Sequence, residues 1–244
     1  MKTISLLACK RPHYLQQTLA ALRKNDLTGW QIIATVDGDP ENEPVIALIK
    51  AIDWIPVQLY VNKFKLGIDR ASFNAVRRAF DYGAELNVYL EEDTLLSPDT
   101  LSMVQWLFQR DVVNDNPSVG VAFYREAVLY TNEFSHLIID NSRKSDGGFG
   151  QGFACSYEQW NSFYSRYWLY FENHHGGAGW DWSISHAATD LKRKVWRPNI
   201  PRSKHIGLIG LNTNATPETC PAGTGPFYQG PIVDYILIDF DTFI

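Results

Sequence analysis

The sequence has few cysteines, little excess charge and no long apolar run. Its three cysteines, Cys9, Cys155 and Cys220, are widely spaced and form no paired metal-ligand pattern. That argues against a disulfide framework and fits free thiols in a reducing compartment. Charged residues make up 20% of the 244, with a formal net charge of −5. The broad basic surface selected by nucleic acid or anionic membranes is therefore missing, and nucleic acid is not an expected partner. No segment approaches the roughly 20 apolar residues of a membrane span. The opening MKTISLLAC shares a lysine and an Ala-Cys pair with lipoprotein signals, but its apolar run is shorter than the about 7–15 residues of a signal core. It reads as a buried first strand, in a chain expected to be soluble and cytoplasmic. Internal repeats and low-complexity tracts are also absent.

What the sequence does contain is alternation. Thr3 to Cys9 is an apolar run, and from Tyr14 to Lys24 the residues Leu15, Leu19 and Leu22 share one helical face. Gln31 to Val36 predicts a second strand ending at Asp37, Pro44 to Ile52 a helix, and Val57 to Val61 a third strand. Phe73, Val76 and Phe80 stripe a helix from Asp69 to Tyr82, with Asp69 positioned to cap it, and Leu86 to Leu90 is the next strand. In SPDT, Ser97 reads as an N-cap and Pro98 as the first helical position, opening a helix through Leu101, Val104 and Phe108. Strand–helix alternation predicts an α/β fold, a Rossmann-like, mostly parallel central sheet flanked by helices. The length suffices for a sizeable core. After about residue 110, Gly, aromatic and turn residues replace the alternation with no visible linker, so residues 1–244 are expected to form a single domain, divided at 110/111 into two halves. Trp160, Phe163, Tyr164, Tyr167, Trp168 and Phe171 recur at helical spacing. A sugar-stacking platform would have this pattern, but core packing accounts for it better.

The strand Leu86 to Leu90 ends in three adjacent carboxylates, Glu91, Glu92 and Asp93. Side by side, they raise one another's pKa values unless positive charge or hydrogen-bond donors gather round them. A solvated loop is the ordinary reading. Yet the cluster lies between a strand's C-terminal end and a helix start, the edge of an α/β sheet where nucleotides bind. A hard cation, Mn²⁺ or Mg²⁺, held by one or two carboxylates and a substrate diphosphate would supply the missing charge from outside the chain.

The order ACKRP at 8–12, TVDGD at 35–39, EED at 91–93, SPD at 97–99, WDW at 180–182, RPNIPRS at 197–203 and KHIG at 204–207 resembles the GT-A glycosyltransferases. It is most similar to the N-acetylglucosaminyltransferase I family, which includes the protein O-mannose enzyme. The resemblance spans roughly residues 3–207 and rests on the ordered combination, each motif being weak alone. It implies a GT-A fold and a metal-dependent, inverting transfer of a sugar from a nucleotide-diphosphate donor, expected to be UDP-linked and possessing GlcNAc in the family, to a glycan or other hydroxyl acceptor. The first half would hold the nucleotide and the second the acceptor. Asp93 would ligand the metal, while Glu91 and Glu92 would bond ribose or sugar hydroxyls and metal-shell water. Arg11 and Asp37 would contact the base, and KLGIDR would bring Arg70 to the nucleotide. The residue-level alternatives are a turn aspartate for Asp37 and surface arginines for Arg11 and Arg70.

Asp181 is the expected base of the transfer, taking the acceptor hydroxyl's proton. Its alternative is a first-turn helix aspartate, since GWDW precedes a helix expected from Ser183 to Lys192. The family carries two acids at this point and this chain has Trp180 in place of the first. Trp180 and Trp182 are expected either to shield or stack on an acceptor sugar, or to pack in the core. His205 is a candidate metal or phosphate contact, with a structural histidine as the alternative. NSRKSDGGFGQG, Asn141 to Gly152, reads as a donor lid or as an ordinary connection. Two other functions share these features. A sugar-1-phosphate nucleotidyltransferase normally has a glycine-rich phosphate loop after its first strand, where ACKRPHY has no glycine. A non-catalytic carbohydrate-binding protein would keep the triplet as a solvated loop.

Overall fold

The computed structural model describes residues 1–110, 113, 118–125, 128–141, 149–169, 179–208 and 227–239. The first half follows the alternation: β1 (Lys2–Ala8), α1 (Pro12–Leu22), β2 (Trp30–Val36), α2 (Glu43–Lys50), β3 (Val57–Val61), α3 (Ile68–Asp81) and β4 (Leu86–Glu91). Within β1, Ile4 and Leu6 face one core and Leu7 faces the other. Burial on both faces is why these strands read as unbroken apolar runs. The core on one side contains Leu15 and Leu22 of α1, Val45 and Ile49 of α2, and Leu101, Val104 and Leu107 of α4 (Thr100–Phe108). The other side contains Ala75, Val76 and Phe80 of α3 and the aromatic residues of the second half.

A short strand, β5 (Thr94–Leu96), intervenes between the triplet and α4. After it come β6 (Ser118–Ala122), β7 (Ile138–Asp140) and β8 (Phe153–Ser156). The helical rod α5 then runs through Tyr157–Gln159, a π-helical turn at Trp160–Tyr164, and Ser165–Tyr167. Ser156 opens it with a capping box closed by Gln159. The chain continues with α6 (Trp180–Asp190), β9 (Lys194–Pro198), β10 (Ser203–His205) and β11 (Ile236–Ile238). Nine strands form one sheet in the order β11-β7-β9-β6-β8-β4-β1-β2-β3, and β10 pairs with β5 in a separate ribbon. β1 to β4 are mutually parallel, whereas β8 is antiparallel to both neighbours, β4 and β6. This is the mixed, mostly parallel α/β sheet expected from the sequence.

The aromatic stripe is core. Trp160, Phe163, Tyr164 and Trp168 are buried, and Phe153 stacks on Tyr164 with ring centroids 4.9 Å apart. Phe171 lies outside the described residues. Cys9 and Cys155 are free thiols, and Cys220 is outside the described residues. Among the described residues, no helix is long and apolar enough to cross a membrane.

Two expected caps are corrected. Ser97 does not cap α4, which starts two residues past Pro98 with Asp99 at its N-cap position. Instead the Ser97 N–H donates to the Arg202 carbonyl and its hydroxyl donates to the Tyr228 carbonyl. Tertiary partners recruited both groups. Asp69 lies in the first turn of α3, whose N-cap position is Gly67 at φ 79°. Its carboxylate accepts from the Trp180 N–H at 2.8 Å and so serves the start of α6.

Candidate active site

The β1–α1 turn passes through Lys10, a non-glycine residue at φ 61°. The turn is secured by the Lys10 N–H donating to Asn42 Oδ1 at 2.9 Å and by the Lys10 ammonium, 2.9 Å from Asp39. It throws Arg11 over the C-terminal ends of β1 and β4. There the guanidinium meets the triplet: Nη2 is 2.6 Å from Glu92 Oε1, Nε is 2.7 Å from the same oxygen, and Nη1 is 2.8 Å from Asp93 Oδ2. Part of the positive charge the triplet calls for is therefore present within the chain. Residues 81 and 82 apart in sequence become neighbours because β1 and β4 pair side by side.

The β5–β10 ribbon supplies a second donor. Thr94 pairs with His205, and the Ile206 N–H donates to the Asp93 carbonyl at 2.8 Å. His205 Nε2 consequently sits 3.3 Å from Asp93 Oδ2. Gly207 closes over the same carboxylate, where a Cβ would overlap Asp93 Oδ2 and lie 3.1 Å from Arg11 Nη1. Burial opposes the charged form of Asp93, but the His205 hydrogen bond and the Arg11 charge prevail and hold its pKa below the usual carboxylate range. Burial pushes Glu92 up to about 7 despite Arg11. Glu91, with no arginine of its own, is pushed up to about 8 by burial and by the charges of Asp93, Glu92 and Asp181, and it accepts from the Tyr89 hydroxyl at 3.1 Å.

Asp181 lies in the first turn of α6, close enough for its charge to act on Glu91. Two glycines wall its carboxylate: a Cβ at Gly150 would come 2.8 Å from Oδ2 and one at Gly179 3.2 Å from Oδ1. Burial raises the Asp181 pKa, partly offset by backbone hydrogen bonds of the helix start. Trp180 is core, stacked on Trp168 at 4.7 Å, whereas Trp182 is exposed. Of the glycine-rich segment, residues 142–148 lie outside the described residues.

Of the other two expected nucleotide contacts, Asp37 directly follows β2 and Arg70 lies in the first turn of α3. The Asp37 carboxylate accepts from the Leu66 and Gly67 N–H groups and from Asn62 Nδ2, so it holds the loop that leads into α3, the turn role weighed above. Arg70 is exposed in the first turn of that helix, and among the described residues no contact joins it to the triplet. Sequence reasoning missed the pairing of Arg11 with the acids and the roofing glycines. ACKRP and KHIG carried these residues without indicating that both turns converge on Asp93.

Among the described residues no group of three or more His, Cys, Asp or Glu side chains forms a metal cage. The donor set present still fits a divalent cation. Asp93 Oδ1 is buried without a hydrogen-bond partner, and the His205 imidazole lies against the other oxygen of the same carboxylate. Mn²⁺ accepts such O and N ligands, with diphosphate oxygens completing the shell.

No family model matches the sequence, and no curated protein does. Solved structures do. Residues 1–349 of S. aureus TarS superpose with a TM-score of 0.55 at 10% identity, over 85% of this chain and 61% of that one. GalNAc-T7, solved with UDP, GalNAc and Mn²⁺, gives 0.57 at 12% identity, over 84% of this chain and 43% of that one. The fold is GT-A. At these identities the likeness concerns architecture, and this chain spans less than two thirds of either neighbour.

Proposed function

We propose that the protein is a metal-dependent, inverting glycosyltransferase that moves a sugar from a UDP-linked donor to a hydroxyl of a glycan acceptor. The observation carrying this reading is that Asp93 and Asp181, from different halves of the chain, both lie close enough to Glu91 at the end of β4 for their charges to act on it. Asp93 is held ionised beside Arg11 and His205, and Asp181 sits beyond Glu91 on the later half of the chain. GalNAc-T7, with UDP and Mn²⁺ bound on the same architecture, supports the choice of donor and metal.

On this reading residues 1–110 hold the nucleotide and the later half presents the acceptor. Asp93 and His205 would hold Mn²⁺ or Mg²⁺, which would supply charge neutralisation for the departing diphosphate. Arg11 adds a fixed positive charge to that wall, so charge developing on the leaving group meets preorganised partners. Glu91 and Glu92 accept hydrogen bonds from donor hydroxyls. Asp37 keeps the loop before Arg70 in place beside the base, and Arg70 approaches the nucleotide from α3. The acceptor oxygen attacks the anomeric carbon as the carbon–oxygen bond to the diphosphate breaks, and the acceptor proton passes to Asp181. A single displacement inverts the configuration.

The test is to incubate the protein with a panel of UDP-sugars, with and without Mn²⁺, and follow UDP release and the anomeric proton signal of the product. Metal-dependent release and a β-linked product from an α-linked donor are expected. UDP release unchanged by chelation, or an α-linked product, would sink the metal role or the single displacement respectively. Gly207→Ala checks the metal wall separately. Its Cβ must displace Asp93 or Arg11, so Mn²⁺ affinity should fall about 10- to 100-fold by calorimetry, as for other disturbed ligand surroundings. Wild-type affinity in that variant would remove Asp93 from the metal site.

A further inference from the structure

Two helices from different halves of the chain meet at their first turns. Helix α6, which carries Asp181, starts at Gly179, a residue at φ 88° with no side chain to cap the free N–H groups that follow. The cap comes from α3, where the Asp69 carboxylate accepts from the Trp180 N–H at 2.8 Å. The same turn of α3 is fastened to the core, since Trp168 Nε1 donates to the Asp69 carbonyl at 3.1 Å and the Trp168 ring stacks on Trp180. The Asp181 carboxylate takes the next two N–H groups, its own and that of Trp182. Asp69 and Asp181 thus divide the donors of one helix start. They lie about Gly179, where a Cβ would stand 3.9 Å from Asp69 Oδ1 and 3.2 Å from Asp181 Oδ1.

We propose that Asp69 is a positioning residue for the transfer: by holding the Trp180 N–H it fixes the Asp181 carboxylate in place, and it ties that base to the segment that meets the nucleotide. This rests on the transferase reading above and adds a residue to the same site. An N–H at a helix start is a strong donor toward carboxylates, aided by the helix dipole. Left vacant, the Trp180 N–H would compete for the Asp181 carboxylate one residue on and pull it away from the acceptor oxygen. Asp69 prevents this by reaching the N–H from outside the helix. Its place in the chain supplies the second function. Asp37 accepts from the Leu66 and Gly67 N–H groups, which clamps the loop before α3 to the C-terminal end of β2, and Asp69 and Arg70 stand in the helical turn that follows. With Arg70 serving the nucleotide and its neighbour Asp69 serving the base, one turn of helix sets the distance between donor and base.

The experiment uses the full chain and its Asp69→Ala, Asp69→Ser and Asp69→Asn variants, with melting curves to establish that each is folded. UDP affinity in the presence of Mn²⁺ is measured by calorimetry. UDP release is followed from UDP-glucose, UDP-galactose, UDP-GlcNAc and UDP-GalNAc with water as the acceptor. Asp69→Ala should keep the wild-type UDP affinity and lose about 100-fold in UDP release, the effect of displacing a reacting group by about 1 Å. Asp69→Asn retains an oxygen that can accept from the Trp180 N–H and should recover most of the rate. Asp69→Ser, whose oxygen is one bond nearer the backbone and falls short of that N–H, should behave as Asp69→Ala and takes its place if the alanine variant does not fold. Release within a few-fold of wild type in the folded alanine or serine variant overturns the positioning role. So does an asparagine variant no faster than alanine, or a UDP affinity that falls as far as the rate. A wild type that neither binds UDP nor releases it from any donor removes the transferase reading itself, and the positioning role with it.

Discussion

Asp181→Asn is expected to retain UDP and Mn²⁺ binding while losing about 10²- to 10⁴-fold in the rate of sugar transfer, the usual effect of removing a general base. The amide keeps the shape that Gly150 and Gly179 enclose, so a folding defect is not expected to intervene. The pH profile provides the second readout. Burial raises the Asp181 pKa above the ordinary aspartate value, and only the ionised form takes a proton. The rate should therefore climb with pH through a range above that ordinary value and then level off. In Asp181→Asn this limb should vanish along with the rate. Turnover within a few-fold of wild type would displace Asp181 from the role of base.

Asp99→Ala should be strongly destabilising. Asp99 and Arg202 are fully buried, with Arg202 Nε 3.1 and 3.2 Å from the two carboxylate oxygens. Arg202 also donates to the Ile200 and His136 carbonyls and lies over the Tyr228 ring at 3.9 Å, and the Tyr235 hydroxyl donates to Asp99 at 2.8 Å. Removing the carboxylate leaves a guanidinium charge buried without its counter-ion, which costs about 3–5 kcal/mol. Tyr235→Phe deletes one hydrogen bond and leaves the ion pair, so it should cost only about 1 kcal/mol. Urea denaturation of both variants gives the comparison directly. Equal losses would mean that the hydrogen bond, not the charge pair, holds the segment around residues 228–235.

The parts legible in the sequence are those whose periodicity is local. β1 to β4 and the helices between them appear because each strand is an apolar run and each helix has a stripe, and their bounds shift by only a residue or two. Asp181 was legible as a helix-start acid because WDW stands directly before an amphipathic segment. The contacts that build the site were not. Arg11 reaches Glu92 and Asp93 only through the pairing of β1 with β4, and His205 reaches Asp93 only through the pairing of β10 with β5. Nothing in either local pattern encodes those registers. Asp69 and Ser97 mislead for a related reason. Both have the chemistry of caps for their own helices, and both bond instead to groups distant in sequence.

The reversed strand β8 has a consequence for how the chain is made. The first four strands fold from contiguous sequence into the order β4-β1-β2-β3, but β4 receives its outer neighbour only when β8, starting at Phe153, is available. That lies about 60 residues beyond the end of β4, which at a synthesis rate of about 5–20 residues per second leaves the edge of β4 unpaired for about 3–12 s. An unpaired apolar edge is a template for strands of other chains. The nascent chain is consequently most vulnerable to intermolecular pairing while residues 92–152 are being translated, and the arrival of one four-residue strand ends that exposure.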